Sequence, residues 1–334
     1  MQVQPVDPAG MLGRAVDALA VEVARQWRAE LSARGLGHLD PSAVRWATTS
    51  RPVGVPPEEI VGGDRLPPSP VRVTRLRLSG RVEDMARMLA NSPARQVAII
   101  GSPGSGKSTL AMLLTLGLLA RRQPGDPLPV LVTVSSWDPG REHLDTWLVR
   151  RLVELYPALG ARGGYGPDAA MWLVDRGLVV PVLDGLDEMA GPAQAPAITA
   201  LTAAVGRDRP LVVTCRADEY QRAVAQAGSP LARAAVVEIE PVSAADAAAY
   251  LPEGQLDGAA RWRPVLAHLA AEPDGGLAHV FRTPLMVYLA RTAYRAPGSN
   301  PAELLTFTEP GNVELHLEDK TIRIWVPHRA FTAT

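Results

Sequence analysis

The sequence is poor in cysteine, in lysine and in excess charge of either sign. Cys215 is the only cysteine among 334 residues, so the chain cannot form an internal disulfide, and we expect a reducing, cytoplasmic environment. Lysine occurs twice against 32 arginines, and the formal net charge is only −1. A chain with balanced charges lacks the basic face of a nucleic-acid-binding protein, so we expect no direct nucleic-acid binding.

Long apolar runs are also missing. The longest candidate, Leu110–Ala120, is shorter than the roughly 20 apolar residues that cross a bilayer. No charged and then apolar signal peptide opens the chain. The hydrophobic fraction of 47% is instead that of an ordinary globular core. A chain of this length has room for two domains of about 100–200 residues each.

The N-terminal region, residues 1–34, has the pattern of an amphipathic helix. Within Met11–Leu31, apolar residues recur at spacings of three or four, with charged residues mostly between them. The pattern predicts a helix that packs on its own domain or on a partner helix. A helix that lies on a membrane surface remains the alternative. The apolar positions are Leu12, Val16, Leu19, Val23, Trp27 and Leu31.

Residues 35–75 are rich in proline and glycine, which indicates a linker or an irregular arm. Beyond this arm, short apolar runs alternate with helical patterns, which predicts a mostly parallel sheet covered by helices on both faces, an α/β fold. The predicted strands are Val97–Ile100, Val130–Val134, Leu178–Leu183, Leu211–Thr214 and Ala235–Ile239. The predicted helices are Ser108–Arg122, His143–Tyr156, Pro167–Arg176 and Pro196–Val205.

The first predicted strand runs directly into a phosphate-binding loop. The segment reads GSPGSGKST, which fits G-x-x-x-x-G-K-[ST] between an apolar strand and a helix. In this setting glycines let the backbone wrap around an anion, and the following helix presents unpaired N–H groups. We predict that Lys107 contacts the β- and γ-phosphates and that Ser108 is a Mg²⁺ ligand. The predicted nucleotide-binding residues of the loop are Gly101, Ser102, Pro103, Gly104, Ser105, Gly106, Lys107, Ser108 and Thr109.

Two further strands end in polar residues. The third predicted strand runs into Asp184-Gly-Leu-Asp187-Glu188, an apolar strand that delivers a carboxylate to the carboxyl edge of the sheet. We predict that Asp184 binds Mg²⁺, and that Asp187 or Glu188 orients or deprotonates the attacking water. Pro181 is unusual inside such a strand because it lacks a ladder donor. Arg216, after the next strand, is predicted to contact the γ-phosphate, although it could instead satisfy a helix end or pair with Asp218 or Glu219.

The combination of GSPGSGKST, VLDGLDE and VVTCR resembles the NACHT family of signal-transduction NTPases, a STAND class, in a bacterial-type form. The similarity continues through residues 237–251 and reaches Thr283-Pro284-Leu285-Met286, so that it covers about Leu78–Arg295. The resemblance implies a P-loop NTPase fold with ATP or ADP and Mg²⁺ as ligands. It also implies that Pro284 packs near the adenine.

The resemblance gives an expected domain order. We predict a P-loop NTPase domain at 76–240, a small helical lid domain at 241–300 and a divergent tail at 301–334. Within the tail, Val313–Val326 alternates apolar and polar residues around a polar centre, which favours a β-hairpin. The sequence departs from the family pattern near Leu305, so we interpret it as C-terminally truncated or altered.

Three functions remain open from the sequence. The first is an ATP-binding, slowly hydrolysing switch that changes conformation between ADP and ATP, in a defence or regulatory pathway, with self-association or a partner protein on activation. The second is a dedicated ATP-dependent enzyme, such as a small-molecule kinase or a motor. The third is a nucleotide-stabilised interaction module without turnover. The absence of a guanine-reading Asn-Lys-x-Asp motif favours ATP over GTP.

Overall fold

A computed structural model describes residues 8–34, 45–55, 79–80, 82–91, 96–161, 165–206, 209–232, 234–306, 312–317 and 320–325 of the chain. The chain forms two compact units. The first contains residues 1–101 and 107–239, and the second contains residues 102–106 and 240–334.

A seven-stranded sheet forms the centre of the first unit as far as the structure describes it, in the order β2-β1-β7-β3-β6-β5-β4. The five strands from β7 to β4 are parallel, and β1 pairs antiparallel with both β7 and β2. Apolar residues fill the parallel strands because helices cover both faces of the sheet. All six residues of β3, for example, are buried. The strands are β1 Trp46–Thr48, β2 Ser79–Gly80, β3 Gln96–Gly101, β4 Leu128–Thr133, β5 Val179–Asp184, β6 Leu211–Arg216 and β7 Ala235–Ile239.

The predicted α/β fold is therefore confirmed, and the strand β7 has the predicted bounds. The other four predicted strands also occur, and their ends are shifted by one or two residues except for the start of β6, which is at Leu211 as predicted. Pro181 lies within β5, opposite Val130 of β4, and the register of β5 with β6 begins one residue later, at Val182.

Helices flank the sheet, and those that follow the parallel strands begin close to the predicted positions. One exception is the helix before β6, which begins at Gly191 instead of Pro196 because Pro192 occupies its first turn, where a missing N–H costs nothing. The helices of the first unit are α1 Pro8–Ala33, α2 Val82–Asn91, α3 Lys107–Arg121, α4 Leu144–Leu155, α5 Ala169–Asp175, α6 Gly191–Val205 and α7 Ala217–Ala227.

The amphipathic helix α1 is part of the first unit. Its apolar stripe is buried against α3, α5 and β4. Asp17 forms an ion pair with Arg122 at 2.8 Å, and the Tyr156 hydroxyl donates to Gln26 Oε1 at 2.9 Å. The packed-helix prediction is thus correct, and the stripe that a membrane surface would contact is covered by protein. Among the described helices, none combines the length and apolar character that crossing a bilayer requires.

The proline- and glycine-rich segment 35–75 was expected to be irregular, and this is wrong for β1. Trp46 is almost completely buried, and β1 pairs with β7 from Thr48↔Val237 to Trp46↔Ile239. The next residue, Thr49, donates its backbone N–H to Val236 O and its hydroxyl to Glu238. Residues 35–44 and 56–75 of this arm lie outside the described residues.

The second unit has its own core, built around Trp262, Phe281 and Tyr294. Arg261 joins its C-terminal loop to the helices, because its guanidinium donates to the carbonyls of Tyr294, Ala296 and Ser299. The antiparallel pair β8 Asn312–Leu317 and β9 Lys320–Trp325 matches the predicted hairpin, whose residues 318–319 lie outside the described part. The helices are α8 Ala244–Tyr250, α9 Gly258–Ala271, α10 Gly276–Val280 and α11 Pro284–Ala293.

Candidate nucleotide-binding site

The predicted phosphate-binding loop joins the end of β3 to the start of α3. Gly104 and Gly106 have φ values of +72° and +89°, in the left-handed region that residues with a Cβ rarely adopt. The Ser105 N–H donates to Ser102 O at 3.2 Å and closes a tight turn. Positive φ at these glycines gives the loop the curvature that an anion-binding backbone needs.

Lys107, the first residue of α3, is half-buried. Its Nζ donates to the carbonyl oxygen of Gly101 at 3.0 Å. Burial lowers the pKa of Lys107, and the nearby carboxylate of Asp187 acts in the opposite direction. A partly desolvated ammonium favours an anion beside it, so this position fits a polyphosphate.

Two further features fit the same ligand. The Ser105 hydroxyl is buried and has no hydrogen-bond partner among the described residues, so it is available to a phosphate oxygen. Helix α3 carries no acidic residue in its first turn that would repel an anion from its N-terminal N–H groups. Ser108 and Thr109 lie half-buried in that turn.

The predicted Mg²⁺ ligand Asp184 is the last residue of β5 and is held by β6. Its Oδ1 accepts a hydrogen bond from the Thr214 hydroxyl, and the same hydroxyl accepts from the Gly185 N–H at 2.9 Å. Gly185 has φ +81°, which turns the chain away from the strand into the short 3₁₀ helix Leu186–Glu188. A carboxylate oxygen of this kind suits Mg²⁺, which is commonly bound by one or two carboxylates together with phosphate oxygens and water.

Asp187 and Glu188, left open as alternative bases, have different surroundings. The Asp187 side chain is 8% exposed and bound by Arg216, whose backbone N–H donates to Oδ1 at 3.0 Å and whose Nε lies 2.9 Å from Oδ2. Glu188 is exposed, and its side chain forms no hydrogen bond or ion pair with any described residue. It packs against Gly185, where an added Cβ would approach the Glu188 carboxylate to 2.9 Å.

Arg216, the last residue of β6, pairs with Asp187 and not with Asp218 or Glu219, the two acidic partners considered from sequence. The arginine side chain remains about half exposed. Asp218 is instead bound by Arg51, which follows β1 and also contacts Glu238 and Gln221. These contacts tie the N-terminal arm to α7 and β7.

Pro284 opens helix α11 in the second unit, to which loop residues 102–106 also belong. The Pro284 ring lies 3.8 Å from the position of a Cβ added to Gly106. The Leu285 N–H donates to Gly104 O at 3.4 Å, and its side chain lies 3.3 Å from a Cβ added to Gly104. The role of Pro284 toward adenine stays a prediction.

Sequence reasoning missed the contact between Thr214 and Asp184. Strand β6 lies between β3 and β5, so it separates the strand of the phosphate loop from the strand of Asp184. The signal that could have found the contact is a hydroxyl in an otherwise apolar strand, since a buried polar group requires partners.

Comparison with known proteins supports this interpretation of the site. Residues 95–254 match the model of the NACHT domain. A comparison with curated proteins finds no match.

Among solved structures, the chain is similar to the crystal structure of Cdc6p from Pyrobaculum aerophilum, with 14% identity and a TM-score of 0.32. The match covers 75% of this chain and 63% of the Cdc6p chain. A likeness this distant carries no functional argument.

The family match covers the phosphate loop, the acidic segment Asp184–Glu188 that begins at the end of β5, and Arg216 at the end of β6. Residues 95–254 of this chain therefore match a NACHT domain, a nucleotide-binding module with the P-loop NTPase fold.

Proposed function

We propose that the protein is an ATP-binding, slowly hydrolysing switch of signal transduction, which changes conformation between its ADP and ATP forms in a defence or regulatory pathway. The observation that carries this proposal is the combination of pairing and exposure at Arg216. Its guanidinium is held by a nearly buried Asp187, yet half of the side chain is exposed. A γ-phosphate offers Arg216 a second anionic partner that ADP does not offer. The two nucleotides would therefore favour different positions of Arg216.

The ligands are assigned by the chemistry of the residues. Lys107, the loop N–H groups and the Ser105 hydroxyl would hold the phosphates, and Ser108 and Asp184 would hold Mg²⁺. When bound, Mg²⁺ neutralises phosphate charge that builds up during transfer. Pro284 is proposed to contact the adenine.

Hydrolysis would use Glu188. Its carboxylate has no competing partner among the described residues, so it can accept a proton from water. The water oxygen then forms a bond to the γ-phosphorus while the bond to the β–γ bridging oxygen breaks, and ADP leaves with that electron pair. Lys107 would stabilise the negative charge on the phosphate oxygens.

Activation would expose a surface for self-association or for a partner protein. A switch of this kind requires differential affinity of its two states for nucleotide, and moving a 1:99 equilibrium to 99:1 takes about 5.5 kcal/mol. The alternatives remain a dedicated ATP-dependent enzyme and an interaction module without turnover. No observation of the described residues favours either of them over the switch.

Nucleotide content and turnover together test the proposal. Nucleotide is extracted from the purified native protein, identified and counted per chain, and multiple-turnover ATP hydrolysis is measured on the same preparation. We expect near-stoichiometric ADP and turnover on the scale of minutes or slower. A preparation without nucleotide that hydrolyses ATP rapidly would contradict the switch and support a dedicated enzyme.

A further inference from the structure

Thr214 is a fully buried hydroxyl residue in strand β6, where its neighbours Val212, Val213 and Cys215 are also buried. Removing a hydroxyl from water without a hydrogen bond costs on the order of 1–3 kcal/mol in proteins. Both partners of this hydroxyl belong to the end of β5. The position of Thr214 is thus linked directly to the position of the Asp184 carboxylate.

The direction of each hydrogen bond is determined by the groups that form it. The Gly185 N–H can only donate, so the Thr214 oxygen accepts this bond at 2.9 Å. The single hydroxyl proton of Thr214 is then directed to Asp184 Oδ1. Oδ2 of Asp184 forms no hydrogen bond with any described residue, so it is available to a cation.

The contact also continues the pairing of two strands beyond their backbone ladder. The register of β5 with β6 runs through Val182↔Val212 and Leu183↔Val213. At the next step, Asp184 and Thr214 are joined through their side chains, where the positive φ of Gly185 turns the chain away. Two residues further along β6, Arg216 binds Asp187. Strand β6 therefore binds both Asp184 and Asp187.

We propose that Thr214 is a positioning residue that fixes the Asp184 carboxylate for the Mg²⁺ of the nucleotide site. This inference rests on the proposed nucleotide function and adds to it a residue that acts through Asp184. A hydrogen bond to a metal-binding carboxylate restricts its rotation, and loss of such an outer-shell partner typically lowers metal affinity by about 10–100-fold.

The test measures binding and not turnover. The dissociation constant of ADP is determined by calorimetry in EDTA and in Mg²⁺, and the ratio of the two values gives the enhancement by metal. Thr214→Val removes the hydroxyl at nearly constant shape, and Thr214→Ser keeps it. Thr115→Val is the matched control, because Thr115 is equally buried and its hydroxyl donates to Ala111 O within α3.

We expect Thr214→Val to leave ADP affinity in EDTA unchanged and to lower the enhancement by metal by about tenfold. Thr214→Ser and Thr115→Val should retain the wild-type ratio. The positioning role would be overturned if metal enhanced ADP binding equally in Thr214→Val and in wild type. It would also be overturned if Mg²⁺ did not enhance ADP binding by wild type at all, which corresponds to a ratio of one. Absence of ADP binding by wild type in both buffers would instead overturn the proposed function, together with the inference that rests on it.

Folding of the variants is measured by circular dichroism and urea unfolding. If Thr214→Val does not fold, Thr214→Ala is compared in its place, because its smaller side chain leaves room for a water molecule beside Gly185. If both fail to fold while Thr115→Val folds, the hydroxyl serves the fold and the positioning role is overturned.

Discussion

At the residue scale, the neighbouring carboxylates Asp187 and Glu188 are expected to differ in function because only one of them is already paired. Glu188→Gln should preserve binding of Mg-ATP and slow hydrolysis by on the order of 10²-fold or more, since a general base typically contributes 10²–10⁴-fold. Single-turnover release of phosphate measures this rate. Asp187→Asn is the matched comparison, and we expect it to slow hydrolysis less. Equal turnover of Glu188→Gln and wild type would remove Glu188 from the role of base.

Lys107 gives a second prediction at this scale. Lys107→Ala should abolish ATP binding measured by calorimetry, because the ammonium is the cation of the loop. Burial lowers the pKa of Lys107, so the fold disfavours its charged form, and its removal should reduce stability only slightly when no nucleotide is bound. We expect the free energy of unfolding in urea to fall by less than about 1 kcal/mol.

The matched control is Lys320→Ala, which changes the only other lysine of the chain. It should bind ATP as wild type does. Unchanged ATP affinity of Lys107→Ala would contradict the assignment of the phosphate loop.

The phosphate loop could be predicted from sequence because its chemistry is local, with the glycines, the lysine and the helix start lying within nine consecutive residues. The partners of Asp184 and Arg216 could not, since both depend on β6 lying beside β5. Charge alone allowed Arg216 to pair with Asp218 or Glu219. The fold brings Asp187 to it from a different strand end.

At the scale of elements, α1 is expected to stabilise the first unit. Val23 is fully buried, whereas Val21 on the same helix is 71% exposed. Val23→Asp places a charge in the core and should lower the free energy of unfolding by several kcal/mol, because it loses about 1.5–3 kcal/mol of burial and adds the cost of desolvating a carboxylate. Val21→Asp should change it by about 0.5 kcal/mol or less.

Urea unfolding of the two variants measures the difference. If the two variants had equal free energies of unfolding, α1 would not be packed on this unit, and the alternative of a helix that lies on a membrane surface would be favoured instead.

Local sequence patterns predicted most of the strands but not β1. The parallel strands were predicted because runs of buried apolar residues are typical of a sheet covered on both faces. Strand β1 was not, because its three residues lie in a proline- and glycine-rich context and are ordered by pairing with β7, almost 200 residues later in the chain. A local pattern contains no information on such a distant partner.

At the scale of the whole molecule, the switch predicts that assembly follows the bound nucleotide. Glu188→Gln can be held in its ATP form, because binding persists while hydrolysis is slowed. We expect this variant to sediment as a larger species with Mg-ATP than with Mg-ADP in analytical ultracentrifugation. Lys107→Ala should sediment identically under both conditions, since it cannot distinguish the nucleotides. A ligand shifts an equilibrium only by its difference in affinity for the two states. If Glu188→Gln binds both nucleotides and sediments identically with each, self-association is not the output of the switch, and the partner-protein form of the proposal or a dedicated enzyme remains.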